Sequence, residues 1–168
     1  MAGNKEIVCW DASTILNFIN ADNSSYKGQG ATPAELQAMK ETVLKAEKRE
    51  LLLITPAIWR LEVLPSNSEQ VNQKLVKAFN GKAILSVEIG QRIIDIAFEI
   101  RNYYINQSTP RQTFSSPDCI YLATAIVYGA CEFITFDDQL LKLSPSVVSY
   151  SQKITRPITN QGSLFYSP

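Results

Sequence analysis

The feature that most constrains this chain is a set of short, unbroken apolar runs: Glu6 to Trp10, Leu51 to Thr55, Lys82 to Val87 and Glu132 to Thr135. Runs of this length without polar alternation suit strands buried on both faces, because a strand with one wet face would alternate. A fifth, edge strand is expected at Val147 to Tyr150. Between the runs lie helical patterns. Ala12 to Ile19 follow the first, and Pro33 to Arg49 form a helix that Thr32 caps and Glu35 reinforces. Pro56 opens a helix carrying Ile58, Leu61, Glu62 and Leu64 until Pro65 stops it, and Ser68 to Phe79 form another, ended by Gly81. Glu88 to Tyr104 repeat apolar residues at helical spacing, and a helix capped by Ser116, with Pro117 first, runs through Val127 to Gly129.

Short buried strands alternating with helices predict an α/β, three-layer fold: a central, mostly parallel sheet of four to five strands with helices on both faces. At 168 residues the chain holds one such domain, assigned to residues 1–150, with 151–168 as a C-terminal extension and a weakly ordered tail beyond Pro157. The polar stretch Asn20 to Thr32 is long for a connection and reads as a surface insertion or a lid.

In a parallel sheet the ligand crevice lies beyond the carboxyl ends of the strands. Four acidic residues fall there: Asp11 and Asp137 directly after strands, Glu62 and Asp118 on helices that can lean over the same edge. Each has a plainer reading. Asp11 could be a helix cap. Glu62, among Ile58, Leu61, Val63 and Leu64, could face solvent or pair with Arg60, although an unpaired carboxylate is rarely buried. Asp118 could complement a helix dipole. Of Asp137 and Asp138, one could serve a metal while the other caps the turn at Gln139 to Leu143, and Asp137 is favoured for the metal. Ser13 and Thr135 each lie two residues from an acid and can orient it or a water. Carboxylates without His or paired Cys favour Mg2+ or Mn2+ over zinc, and such an ion relieves their mutual repulsion.

Sixteen basic residues balance sixteen acidic ones, so no long-range positive field announces nucleic acid, and such a substrate would be held locally. From Gln139 onward Lys142, Lys153 and Arg156 stand without an acid, which marks that region as phosphate-facing or simply as solubilising surface. Cys9, Cys119 and Cys131 lack metal spacing, sit in apolar segments and read as reduced core residues. No run approaches the length of a membrane span, and no leader-like segment opens the chain, so a cytoplasmic protein without membrane partners is expected.

Trp10-Asp11-Ala12-Ser13, Thr55-Pro56-Ala57-Ile58 leading to Glu62, Pro117-Asp118-Cys119-Ile120-Tyr121-Leu122-Ala123-Thr124-Ala125, and Phe133-Ile134-Thr135-Phe136-Asp137 together resemble the PIN-domain ribonucleases, of the VapC-like toxin type. The resemblance spans about residues 5 to 150 and departs from the family in the Asn20 to Thr32 insertion and after Tyr150. It implies a PIN-like fold, a catalytic and metal-binding set of Asp11, Glu62, Asp118 and Asp137, and supporting hydroxyls on Ser13 and Thr135. It further implies one or two Mg2+ or Mn2+ ions, an RNA substrate, a homodimer and a small antitoxin partner. Arg60, Arg111 and Lys142 are candidate backbone contacts by their nearness in sequence. Asp11→Asn or Asp118→Asn is expected to abolish cleavage with the fold intact. The long helices from Pro33 and from Glu88 offer self-association surfaces. A second reading is a PIN-fold module that binds nucleic acid or protein without cutting. A third, a receiver-like or phosphatase-like domain, is disfavoured because it wants paired acids after the first strand.

Overall fold

The computed structural model describes residues 5–21, 30–64, 69–80, 83–106, 114–143 and 153–158. Its elements run β1 (Glu6–Trp10), α1 (Ala12–Ile19), α2 (Pro33–Glu47), β2 (Leu51–Pro56), α3 (Trp59–Val63), α4 (Glu69–Asn80), β3 (Ile84–Val87), α5 (Gln91–Asn106), α6 (Ser116–Val127), β4 (Glu132–Ile134), α7 (Asp138–Leu141) and β5 (Lys153–Thr155). The strands form one sheet in the order β3-β2-β1-β4-β5, every pair parallel, as the apolar runs predicted. Cys9 stands beside Ile54 on one side and Phe133 on the other, so the middle of the sheet is apolar in every direction. Strand order moves outward from β1 to β3 and then crosses back to β4. Right-handed crossovers therefore put α1 to α4 on one face and α5 and α6 on the other. The packing agrees, with α1 against α3 and α4, and α6 against α5, β1, β2 and β4.

Several boundaries differ from expectation for identifiable reasons. Pro56 does not open a helix; it ends β2 opposite Val87, beyond the last residue of β2 paired with β1, where its missing N–H costs the sheet nothing. Ala57 N–H still donates to Val87 O, so the helix carrying Glu62 begins only at Trp59. The cap of α6 is Ser115 rather than Ser116. Asp118 at the third helical position reaches back to the Ser115 N–H while Ser115 Oγ accepts from Asp118 N–H, and this reciprocal box moves Pro117 to the second position. Helix α5 starts at Gln91, not Glu88, and extends to Asn106. The box at Thr32 and Glu35 forms as expected, and Gly129, at φ 63°, closes α6.

The edge strand expected at Val147 to Tyr150 lies outside the described residues, as do most of the insertion and most of the tail; the strand that borders β4 is Lys153–Thr155. Cys9 and Cys119 are buried but Cys131 is exposed, a correction to its core assignment: it sits past the turn after Gly129, where its Sγ donates to Ile7 O and lies near Glu6. Among the described residues no helix is long and apolar enough to cross a membrane.

Candidate active site

The carboxyl ends of β1 and β4 bring Asp11 and Thr135 together from positions 124 residues apart. Asp11, only 5% exposed, is the N-cap of α1 and the most heavily bonded side chain of this edge. Its Oδ1 accepts from Thr14 N (2.8 Å), Thr14 Oγ1 (2.8 Å) and Ser13 Oγ (2.8 Å). Its Oδ2 accepts from Thr135 Oγ1 at 2.6 Å and lies 2.8 Å from Ser13 Oγ. Burial pushes the Asp11 carboxyl above its ordinary range, and these hydroxyl and amide donors pull against that rise. The Ser13 and Thr135 hydroxyls both reach Asp11, and each is fixed in turn: Phe136 N–H donates to Ser13 Oγ (2.9 Å), and Asp137 N–H donates to Thr135 Oγ1 (2.9 Å).

The other carboxylates come from different layers. Asp137 caps α7, its Oδ1 accepting from Gln139 N–H at 2.7 Å, so the capping role expected of Asp138, with Asp137 favoured for the metal, falls to Asp137 itself. Asp118 turns its Oδ2 to Ser115, accepting from the N–H (2.9 Å) and the hydroxyl (2.6 Å). Glu62 differs. It is half-buried on α3, and among the described residues its Oε2 is buried without a hydrogen-bond partner. Arg60 does not pair with it; that guanidinium lies over the Trp59 ring, 5.9 Å from its centre. Burial pushes the Glu62 carboxyl up, the facing Tyr121 hydroxyl lowers it, and the negative charges of Asp118 and Asp11 raise it further. Glu62, from one helical layer, thus feels the charge of Asp11 at the sheet edge and of Asp118 from the other layer.

Tyr121 is the residue that sequence reasoning missed. It lies three after Asp118, on the same face of α6, and is 1% exposed. Its hydroxyl faces Glu62, yet neither Tyr121 Oη nor Glu62 Oε2 completes a well-aligned hydrogen bond. Burial and the neighbouring carboxylate drive the phenol far above its ordinary range, so it stays a neutral donor. The only sequence signal was a hydroxyl-bearing ring in an otherwise apolar helix.

Among the described residues no group of three or more His, Cys, Asp or Glu side chains is gathered closely enough to hold a metal ion. Asp11, Asp118 and Asp137 each turn oxygens toward the start of their own helix. The expectation that Asp11→Asn leaves the fold untouched is revised as well, because that substitution alters a cap with donors on both oxygens. The positive tail is also reassigned. Lys153 pairs with Glu132 at 3.1 Å, and Arg156 pairs with Glu35. Lys142 is exposed at the end of α7, and Arg111 lies outside the described residues.

Among solved structures the chain is similar to the crystal structure of Mycobacterium tuberculosis VapC20, a sarcin-ricin loop cleaving toxin. The TM-score is 0.54 at 11% identity, over 78% of this chain and 90% of that one. The fold is that of a PIN domain. No family model matches the chain, and no curated protein matches it.

In this PIN-like fold the donor chemistry at the sheet edge fits a hard cation: carboxylate and hydroxyl oxygens, with the nearby thiols of Cys9 and Cys119 protonated, Cys119 pushed up to about 11 mainly by burial. The unpartnered Glu62 Oε2 is a second sign of fit, because a buried carboxylate oxygen without a donor is costly unless a positive charge is due there.

Proposed function

We propose that this protein is a metal-dependent endoribonuclease, with Asp11, Glu62, Asp118 and Asp137 as the residues that would hold Mg2+ or Mn2+. The single observation that supports the reading is that the charges of Asp118 and Asp11 reach Glu62 at the sheet edge, where Glu62 Oε2 is buried without a hydrogen-bond partner among the described residues. The chemistry such an ion supplies is activation of water and neutralisation of charge on the phosphoryl oxygens. The chain's own contribution is placement. Thr135, Ser13 and Thr14 hold Asp11 in one orientation, and Tyr121 faces Glu62 as a neutral donor. Arg60 and Lys142, both exposed, are the basic side chains available beside the acidic segments to meet an RNA backbone. Splayed, single-stranded RNA suits a cleft at a sheet edge better than a stacked duplex.

The role carried with this reading is the toxin of a type II toxin–antitoxin pair, forming a homodimer and bound by a small antitoxin. VapC20, a solved structure of similar fold, is described as a sarcin-ricin loop cleaving toxin. Exposed Ile94 and Phe98 on α5 supply apolar surface for self-association.

Glu62→Gln is the cleanest test, since Glu62 caps no helix. Purified wild type should cleave unstructured RNA in Mn2+ and the variant should not; equal cleavage by the two overturns the proposal. The engaged state of the three aspartates favours one competitor, a PIN-fold module that binds RNA without cutting it. That reading predicts RNA retention without products, unchanged by Mn2+ or by Glu62→Gln.

A further inference from the structure

The donors on Asp11 fall into two groups. Thr14 N belongs to the helix that Asp11 caps, while Thr14 Oγ1 lies 2.8 Å from both Asp11 Oδ1 and Ile134 O and bridges the helix to the strand. Thr135 Oγ1 and Ser13 Oγ depend instead on the strand end at Thr135 and Phe136, because Phe136 N–H fixes Ser13 Oγ. That strand end is held from the far side by the C-terminal segment. Thr135 N–H donates to Thr155 O at 3.1 Å, and the Arg156 guanidinium lies 4.6 Å from the centre of the buried Phe136 ring. Arg156 is itself held by Glu35, Nε to Oε1 at 2.5 Å and Nη2 to Oε2 at 3.2 Å, while Glu35 Oε2 also accepts from Thr32 N–H in the cap of α2. A planar guanidinium, clamped by two bonds to one carboxylate and laid on a ring, is a stiff plate rather than a mobile charge.

We propose that Arg156 is a positioning residue for the carboxylate site: clamped by Glu35, it fixes Phe136, so that Phe136 N–H and Thr135 Oγ1 hold Ser13 and Asp11 in place. The described stretch from Lys153 to Arg156 is then part of the site's support and not an appendage. The plainer alternative is that Arg156 only staples the start of α2 to the sheet. The two differ in what moves when Arg156 is lost. A staple loosens α2 and leaves Asp11 alone; a positioning residue loosens the Phe136 and Asp137 amides and spares the Thr14 amide.

For its metal chemistry this inference rests on the nuclease reading, so its test has a second readout that does not. The full chain would be prepared as wild type, Arg156→Met and Lys153→Met, the last losing only the exposed ion pair with Glu132. In amide hydrogen exchange without metal, Arg156→Met should lose protection at Phe136 and Asp137 while Thr14 and Lys153→Met keep theirs. In calorimetric titration at a temperature where all three are folded, Mn2+ affinity should fall about 10-fold in Arg156→Met, as for outer partners of metal ligands. Loss of protection confined to α2, or unchanged Mn2+ affinity in a folded Arg156→Met, overturns the proposal. A wild type that binds no Mn2+ overturns the nuclease reading instead, and the exchange pattern then decides the positioning claim alone.

Discussion

Asp11 is a cap and a candidate ligand in the same two oxygens, and the two roles make different demands. As a cap it needs an acceptor facing Thr14 N–H; as a ligand it needs full negative charge. Asn keeps part of the first and none of the second, and it places an amide donor among hydroxyls that now donate. Asp11→Asn should therefore lower unfolding stability by about 1 to 2 kcal/mol in urea titrations. Glu62→Gln removes a poorly compensated buried charge and should fall within about 0.5 kcal/mol of wild type or above it. A Glu62→Gln variant much less stable than Asp11→Asn would contradict this division of labour. The sequence singled out these acids because each broke, ended or opened an apolar run. It did not reveal that Asp118 and Asp137 spend oxygens on helix starts, since capping and ligation draw on the same residue types at the same positions.

At the scale of elements, the strands were legible because burial on both faces leaves a continuous apolar run, a pattern that survives without knowledge of neighbours. What failed was punctuation. Pro56 and the Ser115-Ser116 pair each satisfy two local rules, and the choice between them is made by partners distant in sequence or by a side chain three residues on. β5 was unreadable for a related reason: three residues at an edge need one neighbour and no apolar run. Helix α2 shows a local cost that sequence could not flag, since Arg49 follows it at φ 60°, a left-handed conformation unfavourable for a residue with a Cβ. Arg49→Gly should raise stability by about 0.5 to 1 kcal/mol, read as a higher melting temperature, because glycine reaches that conformation without strain. An unchanged or lower melting temperature would show that the Arg49 side chain compensates.

For the molecule as a whole, the sheet edge stores negative charge that folding alone does not neutralise. The folded carboxyls of Asp11 and Glu62 both titrate above their ordinary values. Their contribution to stability is thus fully present below about pH 4, where unfolded carboxylates take up protons, and is lost as pH rises through the folded values. A divalent ion that binds the ionised pair reverses this loss. The rise in melting temperature on adding Mn2+ should accordingly be small near pH 4 and larger near pH 7, measured by scanning fluorimetry; equal gains at both would argue against a carboxylate site. One more consequence follows from the aspartates that hold helix starts. A descendant of this chain that gave up chemistry would still need Asp11, Asp118 and Asp137 to keep its helices anchored, whereas nothing architectural would protect Glu62 from drift. Under the proposed nuclease reading, a surviving glutamate on the short third helix would testify to retained activity better than three surviving aspartates would.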